Sequence, residues 1–320
     1  MKKIIILLMS CFLLSSFLHA DKYAGEFLNI GVGVKARALG NAFVALADDP
    51  TAVYWNPAGI YYCNNLSFNI MHSEEYAGNL KYDAISAIYP LDEAKKFGFL
   101  ITRTGISGIP LTELEDPNDT ISVHNPPYAY KYVSDADYTG YLSFSSKLFK
   151  TISFGITTKL IYRTIGDIKA SGIGLDAGFL YKINPSIQVG LNIRDAIGTS
   201  IWWKNGETEK VTPNVLTGAS ARFAFPIINI PSQFSFQTDI FFENRDQSAQ
   251  LSVGKASFDF HAGMLFNFAP FLSVACGIDR ENLTAGAFIS YKNYTLQYAF
   301  ENNPNLNNIH RISLGVEFFN

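Results

Sequence analysis

From residue 64 to its end the chain repeats one pattern, a stretch of alternating apolar and polar residues followed by a break. Period-two alternation puts successive side chains on opposite faces of a strand. Residues 64–72 set Leu66, Phe68 and Ile70 against Ser67 and Asn69. Residues 136–147 set Tyr138, Leu142 and Phe144 against Thr139, Ser143 and Ser145. Residues 186–194 set Ile187, Val189, Leu191 and Ile193 against Gln188, Asn192 and Arg194. The other segments fall at 82–90, 97–103, 151–163, 172–182, 213–223, 232–241, 258–266, 270–279, 282–291, 293–300 and 309–319, which makes fourteen. A fifteenth stretch, Leu251–Gly254, is short and follows a polar run. A single-chain bacterial barrel has an even strand number, so parity excludes it. Short turns then fall at 91–96, 148–150, 183–185, 224–231, 267–269 and 292, and longer polar loops at 73–81, 104–135, 195–212, 242–257 and 301–308. The pattern predicts an all-β chain, a 14-stranded antiparallel transmembrane β-barrel with the short turns on the periplasmic side.

Composition fits a wall with an apolar outer face and a polar lumen. Charged residues are only 17%, aromatics reach 14%, and 48% of residues are hydrophobic. In the last strand Ile312, Leu314, Val316 and Phe318 are expected to face lipid, with Ser313, Gly315 and Glu317 inward. No later run of 18 apolar residues follows the first twenty positions, so no mature transmembrane helix is expected. A secreted β-sandwich is the competing reading of composition alone. The net charge of −3 argues against a nucleic-acid partner.

Residues 1–20 read as an export signal. Lys2 and Lys3 precede the apolar run Ile4–Leu18, and Leu18-His19-Ala20 offers a cleavage position. Lipoprotein processing at Leu8-Met9-Ser10-Cys11 would leave a very short apolar core. Residues 21–62 are expected to form an N-terminal lumenal plug, and 63–320 the barrel. Within the plug, Ala42–Ala47 reads as one or two helical turns, and Asp48-Asp49-Pro50-Thr51 as a turn. Pro57 holds Asn56 extended, and Gly59 permits a sharp exit into the first strand. Arg37 is a candidate partner for Asp48 or Asp49, and the alternative is that both aspartates cap a solvated turn.

Chemical motifs are sparse. There is no Gly-x-Ser-x-Gly elbow and no His-Glu-x-x-His, and Gly31-x-Gly33 lacks a third glycine at phosphate-loop spacing. His72, His124, His261 and His310 are scattered. Cys63 and Cys276 read as packed thiols, although an oxidising compartment permits a bridge. No catalysis, metal or cofactor is expected. Two external regions are candidate partner contacts. One is the long segment 104–135, rich in Pro, Glu and Asp, flanked by Tyr128, Tyr130 and Tyr132. The other is Trp202-Trp203, which also fits an interfacial aromatic belt.

The run Gly31-x-Gly33, Arg37-Ala-Leu-Gly40, Ala42-Phe-Val-Ala, Asp48-Asp49 and Trp55-Asn56-Pro57-Ala58-Gly59 resembles the N-terminal signature of the PorV/PorQ family. That family lies within the wider group of FadL-like outer-membrane barrels. His261-Ala-Gly263, Leu272–Asp279, Tyr298-Ala-Phe300 and His310–Leu314 resemble its closing strands. The resemblance implies fourteen strands, a plug, and residence in the bacterial outer membrane among its lipids. The PorV/PorQ likeness implies a part in type IX protein secretion, with secretion-system proteins and exported cargo as partners. The FadL relationship implies passive uptake of a hydrophobic ligand through the lumen. That second role calls for a continuous apolar pocket above residues 24–59.

Overall fold

The computed structural model describes residues 25–226, 229–243, 245 and 248–318. The export signal, residues 21–24 and the final two positions lie outside the described residues. Fourteen strands follow: β1 (Leu66–Glu75), β2 (Leu80–Pro90), β3 (Lys95–Leu114), β4 (Pro127–Phe149), β5 (Ile152–Ile165), β6 (Ile168–Lys182), β7 (Ile187–Arg194), β8 (Asn214–Ala224), β9 (Pro231–Phe241), β10 (Ala256–Ala269), β11 (Leu272–Asp279), β12 (Asn282–Tyr291), β13 (Tyr294–Asn302) and β14 (Ile309–Phe318). Each pairs antiparallel with its neighbours in sequence. Strand β14 pairs with β1 from Leu66↔Phe318 to Glu74↔His310, which closes the cylinder. Closure removes the sheet edges, so every stave has partners on both sides. Three short strands stand apart from the staves. Thr199–Trp203 and Thr208–Val211 form a hairpin laid on β6, and Leu251–Val253 pairs with β10.

The alternation is inverted relative to a soluble sheet. In β1, Phe68 and Ile70 are exposed at 41% and 58%, while Ser67, Asn69, Ser73 and Glu75 point inward and are buried. In β14, Ile312 and Leu314 face out, and Arg311 and Ser313 face in. Exposed aromatics gather at the end of the barrel that carries the short turns, among them Tyr89, Phe149, Tyr181, Phe271, Tyr291 and Phe318. Apolar staves with an aromatic girdle match the outer face of a lipid-embedded barrel. No helix among the described residues is long and apolar enough to cross a membrane.

Two sequence expectations need correction. Segment 104–135 is mostly not irregular: β3 and β4 run for 20 and 23 residues and stay paired up to Leu114↔Pro127. A bilayer-crossing strand needs only about 10 residues, so this hairpin projects well beyond the other staves. Pro110 argues against a strand, yet it sits between register shifts at Ile106/Ile109 and Leu111/Thr112, where a missing N–H is tolerated. The second correction concerns the N-terminal segment. Its α-helices are Val34–Ala38 and Ala52–Trp55, with 3-10 turns at Glu26–Asn29 and Pro57–Tyr62; Ala42–Ala47 is a series of turns. Its backbone groups bond one another in short turns, such as Gly40 N to Arg37 O at 3.0 Å and Ala47 N to Phe43 O at 2.8 Å, and wall side chains take others.

Residues 25–62 occupy the lumen. Val32, Ala36, Ala38, Phe43, Val44 and Ala47 have no exposed surface. The segment lies close to the wall because glycines face it. A β-carbon on Gly190 would overlap the Val44 carbonyl oxygen, and one on Gly263 would overlap that of Leu39. Gly40 combines close approach with a φ of 62°, and its missing side chain leaves room for the β11 backbone at Ile278. Gly190→Val and Gly263→Val are each expected to destabilise the folded barrel by about 1–3 kcal/mol. Urea titration in detergent should show an earlier transition, with faster proteolysis within 25–62. Two wild-type transitions would refute the close packing.

Candidate functional site

The lumenal segment is mostly non-repetitive, so its peptide groups need partners that a helix or sheet would otherwise provide. Its own turns supply part of them, and the wall supplies others. Gln237 Oε1 accepts from the N–H groups of Phe43 and Val44 at 3.0 and 2.7 Å. Gln188 Nε2 donates to the Ala45 carbonyl at 2.6 Å, and Asn192 Nδ2 to that of Trp55 at 3.0 Å. Thr284, Ser153 and Arg311 donate to the carbonyls of Ala38, Ala58 and Gly31 at 3.1, 2.9 and 2.8 Å.

The motif residues build this fit from their own side. Asn56 Oδ1 caps the 3-10 turn by accepting from Ala58 N at 3.1 Å. Its Nδ2 donates to Val44 O at 2.8 Å and to Phe179 O in β6 at 3.1 Å. Pro57 opens the turn and packs against wall glycines Gly155 and Gly178. Gly59 leaves no room for a β-carbon beside the Ala47 carbonyl. Trp55 Nε1 donates to Val32 O at 2.7 Å. Gly31 N donates to the Tyr54 hydroxyl at 3.1 Å, and Gly33 N contacts Met71 Sδ at 3.2 Å.

Arg37 bonds neither Asp48 nor Asp49, which corrects the sequence expectation. It bonds the adjoining wall at Asp279 (3.0 Å) and Glu301 (2.5 Å), and donates to Ile30 O at 2.7 Å. Lys35, two residues earlier on the opposite side of the helix, takes Asp48 at 2.8 Å. Asp49 accepts from Thr51 N at 2.8 Å and so caps the turn before the second helix. Removal from water disfavours the Lys35 ammonium, but Asp48 and then Asp49 outweigh that and raise its pKa. Burial, then the neighbouring Asp48, raises the pKa of Asp49. Burial, then Asp48 and Asp49, pushes the Cys63 thiol well up, so it is protonated and a poor nucleophile. Cys63 and Cys276 are both unbridged.

Two cavities flank this core. Toward the loop end lies one of about 200 Å³, lined by Arg37, Asn41, Tyr54, Trp55, Arg194, Arg245, His261, Asp279, Glu301 and others. At the turn end lies one of about 420 Å³, lined by Lys35, Asp48, Asp49, Asn65, Asn69, Gln297 and Glu317. Helix Val34–Ala38 packs on β11–β14 and sends Arg37 into the first cavity and Lys35 to the second. The loop-end cavity sits where an uptake channel would need its pocket, but charged and polar groups dominate its lining. Neither of these two cavities is a continuous apolar pocket.

The aromatic candidates divide. Tyr128, Tyr130 and Tyr132 are exposed on the projecting part of β4, at 46%, 51% and 68%. Trp202 is 49% exposed, whereas Trp203 packs inward beside Leu28, Ile161 and Val211 and donates to Glu209 at 2.8 Å. The charged wall partners of the lumenal segment, Asp279, Glu301 and Arg311, with Glu75 holding Arg311, were not singled out in the sequence. Their signal is a charge at an inward-facing strand position. The described residues contain no cluster of three or more His, Cys, Asp or Glu able to hold a metal.

No protein-family model and no curated protein sequence matches the chain. Solved structures do. The toluene transporter TbuX of Ralstonia pickettii matches at 12% identity and a TM-score of 0.59, over 90% of this chain and 99% of that one. The monoaromatic hydrocarbon channel CymD matches at 10% identity and 0.63, over 91% and 98%. A FadL homologue of Pseudomonas aeruginosa matches at 9% identity and 0.56, over 90% and 98%. The chain therefore has the fold of the FadL-like outer-membrane barrels. At such identities the likeness concerns the fold, and function has to be argued from the site.

Arg37→Met leaves the Asp279 and Glu301 carboxylates facing each other without their shared cation. Breaking a buried pair on one side costs about 3–5 kcal/mol. The expected outcome is a clear drop in the urea midpoint, partly restored in Arg37→Met/Glu301→Gln. A single variant as stable as wild type would remove Arg37 as the anchor.

Proposed function

We propose that the protein is a FadL-like channel of the bacterial outer membrane for passive uptake of small, largely hydrophobic molecules that carry a polar group. The observation that carries this reading is the divided lumen. Two cavities open toward opposite ends of the barrel, and a five-residue helix stands between them. The likeness to hydrocarbon channels supports it, as do the apolar outer face and the aromatic girdle. The loop end faces outward and the short turns face the periplasm. A ligand enters the outer cavity, where Tyr54, Trp55 and Phe241 meet its apolar part and the charged ring meets its polar part. Passage requires helix Val34–Ala38 to leave its place on β11–β14. Its end groups are held by Arg37 above and Lys35 below, so competition for either ion pair loosens it. No energy source is needed, because the solute moves down its own gradient.

Proteoliposome flux tests this reading. Full-length protein is expected to speed entry of benzyl alcohol and small amphipaths over glucose, and Arg37→Ala to raise the flux several-fold. Equal rates with and without protein would overturn it.

A second reading, that the barrel handles exported protein in type IX secretion, draws on the PorV/PorQ-like N-terminal motif. One structural observation favours it. The β3–β4 hairpin projects with both faces exposed and carries Tyr128, Tyr130, Tyr132, Ile121 and Val123 in the open. Co-purification from native membranes separates the two: recovery of secretion components and cargo, lost on trimming residues 109–132, would favour the second.

A further inference from the structure

The loop-end cavity has an unequal pairing of charges. Glu75 holds Arg311 at 2.5 Å, Asp259 holds Arg245 at 2.8 Å, and Asp279 and Glu301 share Arg37. Asp239 lies 3.6 Å from His261 Nε2 and accepts from Gln237 at 2.7 Å. Arg194 is different. It is 6% exposed and lines the same cavity, yet no carboxylate among the described residues lies within ion-pair distance of it. Its Nη1 and Nη2 make only long contacts to Tyr54, 3.3 Å to the hydroxyl and 3.5 Å to the carbonyl. Its guanidinium lies 4.0 Å from the Tyr54 ring centroid. Its Nε is buried without any partner. A buried guanidinium with an open donor, stacked but not neutralised, is poised to take an anion. The Nε atoms of Arg37 and Arg245 are buried without partners at the same cavity.

We infer that Arg194 is the anion-binding residue of the outer cavity and that the ligand it takes is a small organic monocarboxylate. The lining already holds six carboxylates, Glu26, Glu75, Asp239, Asp259, Asp279 and Glu301, so the cavity has no surplus of positive charge and the open donors of Arg194 suit a single carboxylate. A dianion would face Asp239, Asp259, Asp279 and Glu301 without a second free cation. Tyr54, Trp55 and Phe241 beside Arg194 favour a ligand with an aryl or short apolar body. A cavity of about 200 Å³ fits a compact molecule and excludes a long acyl chain lying wholly within it. The guanidinium fork suits a planar carboxylate through two parallel donors.

This deepens the uptake reading and rests on it for its purpose, but binding can be measured apart from transport. Calorimetry on the full-length protein in detergent compares benzoate with benzamide, which has the same shape and no charge. Wild type is expected to bind benzoate at least tenfold more tightly. Arg194→Gln is expected to erase that preference and Arg194→Lys to keep part of it. Equal affinities in wild type, or an undiminished preference in Arg194→Gln, would overturn the inference. Should Arg194→Gln not fold, the wild-type comparison decides alone. Benzoate binding without benzoate flux in proteoliposomes supports the site and counts against uptake. Flux of neutral solutes without a benzoate preference does the reverse.

Discussion

A chain that runs irregularly through the inside of a closed barrel must find partners for its peptide groups, and the wall has no backbone to spare. Every stave spends its own N–H and C=O groups on its two neighbours. The segment's own turns meet part of the need, and for the rest wall side chains must be long enough to reach it and polar enough to satisfy it. Gln188, Asn192, Gln237, Ser153, Thr284 and Arg311 meet both conditions. Each such bond contributes about 1 kcal/mol net, but leaving its partner buried and unmet costs about 1–3 kcal/mol. That asymmetry selects one path for residues 25–62 out of many compact ones. Wall glycines complete the fit, since bonds of this length form only where no side chain keeps the two backbones apart.

The charged groups follow from the same constraint. Most buried charges here are paired: Arg37 bridges two carboxylates and Arg311 holds a third. The Arg37 pairs and the Lys35–Asp48 pair pin the short helix Val34–Ala38 on two sides. They are also the contacts that a charged or polar solute can compete for, whereas the packed apolar contacts of Phe43 and Trp55 offer no such handle. The element separating the two cavities is thus held both by ion pairs that a ligand can replace and by the buried Val34, Ala36 and Ala38, which it cannot.

Much of the wall was legible in the sequence because a barrel stave is a local object. Ser67, Asn69 and Phe68 declare their faces through period two alone, and parity disposed of Leu251–Gly254 as a stave. The partners of Arg37 were not legible, since Asp279 and Glu301 lie 242 and 264 residues away and only closure brings them to it. Asp48 and Asp49 were nearer in sequence and therefore tempting. The prolines of segment 104–135 hid a hairpin because a bulge absorbs Pro110. The Ala42–Ala47 stretch keeps one helix-type bond, Ala47 N to Phe43 O at 2.8 Å, but wall Gln188 and Gln237 take others of its peptide groups and no helix develops. Trp202 and Trp203 looked alike, but alternation along one short strand turns one inward and one outward.

The barrel of this chain encloses a charged cavity, lined from both the wall and the lumenal segment. A barrel fixes where the inward strand positions are, not what fills them, so the lining is free to vary while the staves stay put. A buried arginine persists only if a carboxylate, an aromatic face or a ligand meets it. Arg37, Arg245 and Arg311 met carboxylates. Arg194 met Tyr54, whose ring offers weaker compensation than an ion pair, about 1–2 kcal/mol when desolvated. A folded protein that leaves one cation in that position beside a cavity has left the last partner to come from outside.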